Sequence, residues 1–95
     1  MKLFGLAAIA GLMVGITAVS GARAADPEFC RDYARVAVEQ AHRAENTPHC
    51  GHLLREARFS TEFRSHFDWC LNAHRREADD ERARRHEALE RCGAR

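Results

Sequence analysis

Cysteine and histidine are the residue types in this 95-residue chain that could do chemistry, with four and six copies. The cysteines are Cys30, Cys50, Cys70 and Cys92, separated by 20, 20 and 22 residues. Haem attachment requires Cys-x-x-Cys-His and thiol exchange favours Cys-x-x-Cys, and the sequence contains neither motif. The even number and wide spacing instead favour two disulfides, provided that the chain enters an oxidising compartment.

Two histidines flank the second cysteine, in the motif His49-Cys50-Gly51-His52. Imidazole is a common ligand of Zn²⁺ and Cu²⁺, so metal binding is an alternative reading of this loop. A disulfide would remove the thiolate of Cys50, and such a site would then use His49 and His52, with His42 as a further ligand. We expect solvated or core-edge histidines instead, and therefore no metal site and no cofactor.

Ser65 and His66 come nearest to a catalytic pair. Adjacent residues on a helix point in different directions, so these two do not form a nucleophile and base dyad. His66 is better explained by packing or hydrogen bonding beside Trp69. The chain is therefore predicted not to be an enzyme.

Residues 1–24 have the pattern of a signal peptide. Lys2 gives a positive start, residues 3–19 are apolar, and Ala22-Arg23-Ala24 has the small-x-small form that signal peptidase accepts. Residues 25–95 are then predicted to form one mature domain, periplasmic or secreted. We expect no stable membrane anchor after cleavage.

Charge and size limit what this mature domain can be. Loss of Lys2 and Arg23 lowers the formal net charge from +1 to −1. A nucleic-acid binder would show a clustered basic excess, so no nucleic-acid partner is expected. A domain of this size obtains only a few kcal/mol from its apolar core, so covalent links are expected to add to its stability.

Three amphipathic segments must position the cysteines. Asp26-Pro27 is typical of a helix start, and small apolar residues recur at helical steps over about Glu28–Arg43. That helix should end at Asn46-Thr47-Pro48. The last helix is expected over about Glu77–Arg91, followed by a Gly93 stop.

The middle segment, Phe63–Leu71, is predicted to be the core helix. Phe59, Phe63 and Phe67 share one face with Cys70 at helical steps, and the single Trp lies in the same segment. Leu53, Leu54 and Ala57 indicate a short helix before it. On the last helix the apolar stripe is thin, and we expect acid-first ion pairs such as Glu81 with Arg85.

These elements predict the disulfide pairing. Three antiparallel helices of about equal length, joined by short loops, place Cys30 and Cys70 at one end of a bundle, and Cys50 and Cys92 at the other. The two Cα atoms of a disulfide lie within about 7 Å, whereas a helix of this length is about 20 Å long. We therefore expect Cys30–Cys70 and Cys50–Cys92, in an all-α fold. It is a small three-helix up-down-up bundle, with or without an additional short helix.

Four short motifs surround the cysteines. They are Cys30-x-x-Tyr33-Ala34, Cys50-Gly51, His66-x-x-Trp69-Cys70 and Leu89-x-x-Cys92. In this order and spacing they resemble a small four-cysteine exported module of alphaproteobacteria, over nearly all of the mature chain. The resemblance implies a module with no assigned function or active site. Arg58-Phe59 stands where that module has an Arg-Trp pair.

These patterns predict a non-enzymatic module, structural or protein-binding, whose partner is an envelope or periplasmic protein. The alternative is a periplasmic metal-binding protein that uses His49, His52 and His42. The two classes differ in whether binding survives removal of metal.

Overall fold

The protein is described here by a computed structural model that covers residues 25–94. Within this range there are three α-helices, α1 (Pro27–Glu45), α2 (Phe63–Leu71) and α3 (Arg75–Cys92). Two short 3-10 helices, Gly51–Arg55 and Ala57–Phe59, connect α1 to α2. The predicted all-α, three-helix fold is confirmed, and the predicted signal peptide lies outside the described residues.

Helix α1 begins where the sequence predicts. The Phe29 N–H donates to Asp26 Oδ1 at 2.8 Å, and Pro27 occupies the first turn. Ala34, Ala37 and Ala41 are completely buried on its inner face. Because these side chains are small, the other helices can pack close to the α1 backbone.

The connection from α1 to α2 differs from the expected short helix. Its two 3-10 helices bury Leu53 and Phe59 but leave Leu54 at the surface. Helix α2 therefore has only 9 residues, against 19 in α1 and 18 in α3. The assumption of three helices of about equal length was wrong, although it led to the correct pairing of the cysteines.

Helix α3 starts earlier than predicted. The Glu77 carboxylate accepts a hydrogen bond from the His74 backbone N–H at 2.8 Å, which allows the helix to begin at Arg75. At the other end Gly93 has a φ of 101°, a left-handed conformation that favours glycine. The Ala94 N–H then donates to the Leu89 carbonyl at 2.8 Å and closes the last turn.

Both predicted disulfides are present. Cys30–Cys70 joins α1 to α2 with a Cα–Cα distance of 5.5 Å, and Cys50–Cys92 joins the α1–α2 connection to α3 at 5.3 Å. Each bond belongs to its own apolar cluster. Cys30–Cys70 packs with Tyr33 and Ala78. Cys50–Cys92 packs with the residues Ala44, Leu53, Phe59, Leu89 and Ala94.

Two aromatic residues assigned to the core helix are largely exposed. Phe63 and Trp69 each keep 42% of their surface accessible. Their positions lie at opposite margins of the buried face of α2, whose centre carries His66 and Cys70. In residues 25–94, no helix is long and apolar enough to cross a membrane.

Candidate functional site

A buried arginine lies between the two apolar clusters. Arg85, on α3, is only 1% exposed. Its Nε donates to Gln40 Oε1 on α1 at 2.6 Å, and its Nη1 donates to the Arg58 carbonyl at 3.4 Å. Neither acceptor carries a formal charge. The predicted ion pair of Glu81 with Arg85 is therefore wrong, because the guanidinium turns inward.

The third guanidinium nitrogen is the unusual one. Arg85 Nη2 is buried and has no hydrogen-bond partner among residues 25–94. A buried polar group without a partner costs about 1–3 kcal/mol, and more when it is charged. Arg85 Nη2 is thus the one buried side-chain donor among residues 25–94 whose hydrogen-bonding capacity is unused.

Tyr33 of α1 packs against the same guanidinium. Arg85 Cζ lies 5.1 Å from the centroid of the Tyr33 ring, a cation–π arrangement that partly offsets burial of the charge. Burial raises the pKa of the Tyr33 phenol above its usual value, whereas the close polar contact of the phenol oxygen with Arg85 and the positive charge of Arg85 oppose this shift. The phenol is thus neutral at physiological pH and can donate a hydrogen bond.

Helix α2 supplies His66 and Trp69 to this region. His66 is buried, and its Nε2 lies 2.7 Å from the Ser60 carbonyl, to which it must donate. The Trp69 ring centroid lies 5.6 Å from that of Tyr33, with the planes 31° apart. His66 thus fills the interior as predicted, whereas Trp69 forms an exposed aromatic wall.

These side chains line an open cavity of about 520 Å³, which we call the Arg85 cavity. Its lining includes Tyr33, Arg58, His66, Trp69, Glu81 and Arg85. Glu81 forms ion pairs with Arg58 at 3.5 Å and with Arg84 at 3.9 Å, so both of its oxygens face cations. The size is within the range of small-ligand sites.

The cavity offers binding groups rather than a nucleophile activated by a base. Ser65 and His66 both line it, but among residues 25–94 no hydrogen bond joins the Ser65 hydroxyl to the His66 ring. What remains is a guanidinium donor, a phenol and an indole face. This set can bind an acceptor group joined to an apolar surface.

Of the three histidines proposed as alternative metal ligands, the structure brings only two together. His49 and His52 line one groove of about 780 Å³, together with Arg84 and Arg91. The His42 ring instead lies 2.8 Å from Glu45 on α1. Over the described range, no group of three or more His, Cys, Asp or Glu side chains is placed to hold a metal ion.

Arg85 was missed because its position four residues after Glu81 on a charged helix predicted an ion pair along the helix, not burial. One signal could have identified it. Arg85 lies seven residues after Ala78 and seven before Cys92, on the same face as the apolar residues of α3. Gln40 lies seven residues after Tyr33 on α1, so the two polar residues occupy matching core positions.

Comparisons of the chain with protein-family models, curated proteins and solved structures gave no significant match. The resemblance to the four-cysteine exported module stays a prediction.

Proposed function

We propose that this protein is a non-enzymatic interaction module of the periplasm or the extracellular space, and that it binds a partner protein at the Arg85 cavity. The observation that carries the proposal is an exposed indole beside a buried guanidinium with one unpartnered nitrogen. Tryptophan and arginine are the residues most enriched at binding hot spots. The unpartnered cation favours a partner segment that carries a carboxylate.

The disulfides support the location in this proposal. Structural disulfides persist in oxidising compartments and are rare in the cytosol, and both pairs of cysteines are joined here. They also support a binding role, because they fix the elements that line the cavity. A preorganised surface loses less conformational entropy on binding.

Capture from an envelope extract tests this function. The oxidised mature chain is immobilised as wild type, Trp69→Ala and Leu54→Ala, and retained proteins are identified and quantified. We expect one protein whose recovery falls at least about tenfold with Trp69→Ala, because truncation removes a central aromatic contact. Leu54 is a matched control, since it is 37% exposed and lies outside the Arg85 cavity.

Equal recovery on wild type and Trp69→Ala would contradict a contact at this cavity. The metal-binding alternative is supported by the groove that His49 and His52 share. Repeating the capture in the presence of a chelator distinguishes this alternative from a metal-independent protein contact. Binding that disappears with the chelator and with the double substitution His49→Ala and His52→Ala would support a metal-binding protein instead.

A further inference from the structure

The hydrogen bonds of Arg85 define what the cavity can bind. The guanidinium is fixed by Gln40 Oε1 and by the Arg58 carbonyl, so its orientation is determined on two sides. Only Nη2 is without an acceptor in the part of the chain that the structure describes. A ligand oxygen placed there would accept from a donor that is already oriented, with little loss of side-chain entropy.

The missing acceptor is best supplied by a carboxylate. A buried guanidinium is costly unless a counter-charge or strong acceptor compensates it, and its present acceptors are neutral. A carboxylate would provide both the charge and the geometry of an arginine pair. Tyr33 lines the same cavity, and its neutral phenol lies in polar contact with the guanidinium, so the surroundings of Arg85 supply no negative charge from this side.

The walls indicate what the carboxylate is attached to. Trp69 presents an exposed indole, and its ring lies beside that of Tyr33 at 5.6 Å between centroids. Planar apolar groups stack favourably on such faces. Trp69 and Arg85 line the same open cavity, so an aromatic group on the indole and a carboxylate directed at the guanidinium would belong to one ligand site.

The acidic residues at the cavity restrict the ligand to a single negative charge. Glu81 and Glu56 line it together with Arg58, and Glu81 is paired with Arg58 and Arg84. With two cations and two anions in the lining, a second ligand carboxylate would meet no further free cation. A doubly charged acid or a phosphate is therefore disfavoured.

We propose that Arg85 binds the carboxylate of a group with a planar aromatic body that stacks on Trp69. The proposal rests on the proposed function in taking the same cavity as the contact surface, and it adds the chemical group that is recognised. That group comes either from a free aromatic acid or from the C-terminal aromatic residue of a partner.

Trp69 provides the assay, because it is the only tryptophan in the chain. Its fluorescence is followed during titration of the oxidised protein with 3-phenylpropionate and with a Gly-Gly-Phe peptide that has a free C terminus. Each is compared with its neutral amide. We expect saturable binding of at least one acid, and binding of its amide at least about tenfold weaker, because the charge-assisted hydrogen bond is lost.

Two substitutions on α3 provide a matched comparison. Arg85→Met should abolish the discrimination between acid and amide, whereas Arg76→Met removes the same charge from an exposed position outside the cavity and should leave it intact. Arg85→Lys, which keeps the charge but not the planar fork, should weaken acid binding. The acid and amide comparison on wild type requires no variant, so misfolding of Arg85→Met does not prevent the test.

Binding of the free acid assigns the group to a small molecule, and binding of the peptide acid alone assigns it to a partner C terminus. If neither acid binds, or if acids and amides bind equally, the proposal is overturned. Trp69-dependent capture without carboxylate binding would defeat this inference and leave the proposed function standing. Carboxylate binding without Trp69-dependent capture would support this inference and contradict the proposed function.

Discussion

Buried polar side chains at the centre of the bundle set its response to pH. His66 lies between the Ser60 carbonyl, the Tyr33 ring at 6.4 Å and the positive charge of Arg85. Burial lowers the pKa of His66, and Arg85 adds to this effect, while the hydrogen bond to Ser60 opposes it. The folded protein therefore holds His66 neutral at a pH where the unfolded chain already binds a proton.

Acidification should destabilise the fold through this residue. Below about pH 6.5, the value for an unfolded histidine, the unfolded state takes up a proton that the native state does not, so the free energy of unfolding falls. The loss continues until the pH reaches the lowered native pKa and then stops. We expect His66→Gln to show a smaller decrease in the free energy of unfolding, measured with urea, between about pH 7.5 and about pH 5.

His52→Gln serves as the control, because His52 is exposed on the 3-10 helix Gly51–Arg55. Its pH dependence should follow that of wild type. If His66→Gln and wild type lose the same stability on acidification, the buried neutral imidazole does not contribute.

At the scale of single residues, the sequence predicted the apolar positions better than the polar ones. Cys30, Cys70 and His66 lie where expected, because they recur at helical steps with other apolar residues. Arg85 and Gln40 do not fit a simple hydrophobic pattern, since their burial depends on each other across two helices. A partner in a distant segment cannot be found from local periodicity.

The segment from Phe59 to Trp69 illustrates the same limit at the scale of elements. Phe59, Phe63 and Phe67 have helical spacing, yet Phe59 is 1% exposed and Phe63 is 42% exposed. The reason is that Phe59 belongs to a 3-10 helix that ends before α2 begins, so one helical face does not include both. Spacing across a helix boundary carries no information about which face a side chain occupies.

The same substitution at these two positions should have very different costs. Phe59→Ala leaves a cavity in the Cys50–Cys92 cluster and should lower the free energy of unfolding by about 3–5 kcal/mol. Phe63→Ala removes an exposed ring that stacks on Phe67 at 5.9 Å and should cost about 1 kcal/mol. Denaturant unfolding of the two variants under oxidising conditions measures the difference.

The opposite order, or equal costs, would mean that Phe63 is buried in the core, as its predicted position on one face with Phe59 and Phe67 requires. Circular dichroism of both variants before unfolding verifies that each retains the helical content of wild type. The comparison requires no assumption about the absolute stability of the domain.

At the scale of the whole molecule, the disulfides and the two apolar clusters share the stabilisation. The bonds close loops with sequence separations of 40 and 42 residues, so the chain-entropy model assigns about 4 kcal/mol to each. The pairing was predictable because it depends on which end of the bundle each cysteine occupies, and helix direction determines this even though the three helices differ in length. The polar layer between the clusters, which includes Arg85 and Gln40, was not predictable in this way, because it depends on a contact between two distant segments.

Removal of either disulfide should therefore have a large and similar effect. We expect Cys30→Ala with Cys70→Ala, and Cys50→Ala with Cys92→Ala, each to lower the Tm by roughly 15–30 °C. Calorimetry of the two double variants beside the oxidised wild type measures this. A Tm unchanged in either variant would show that the bond does not constrain the unfolded chain.

The order of the two bonds along the chain determines how the protein withstands proteases. The Cys30–Cys70 and Cys50–Cys92 loops overlap, so every peptide bond from residue 30 to residue 92 lies inside at least one of them. A single backbone cut anywhere in that range leaves one covalent molecule. Even two cuts, in different intervals between successive cysteines, leave all fragments linked. One cut in each of the three intervals is needed to separate the two disulfide-linked pairs of cysteines from each other. A nicked molecule can thus keep its helices in place and the residues around the Arg85 cavity together.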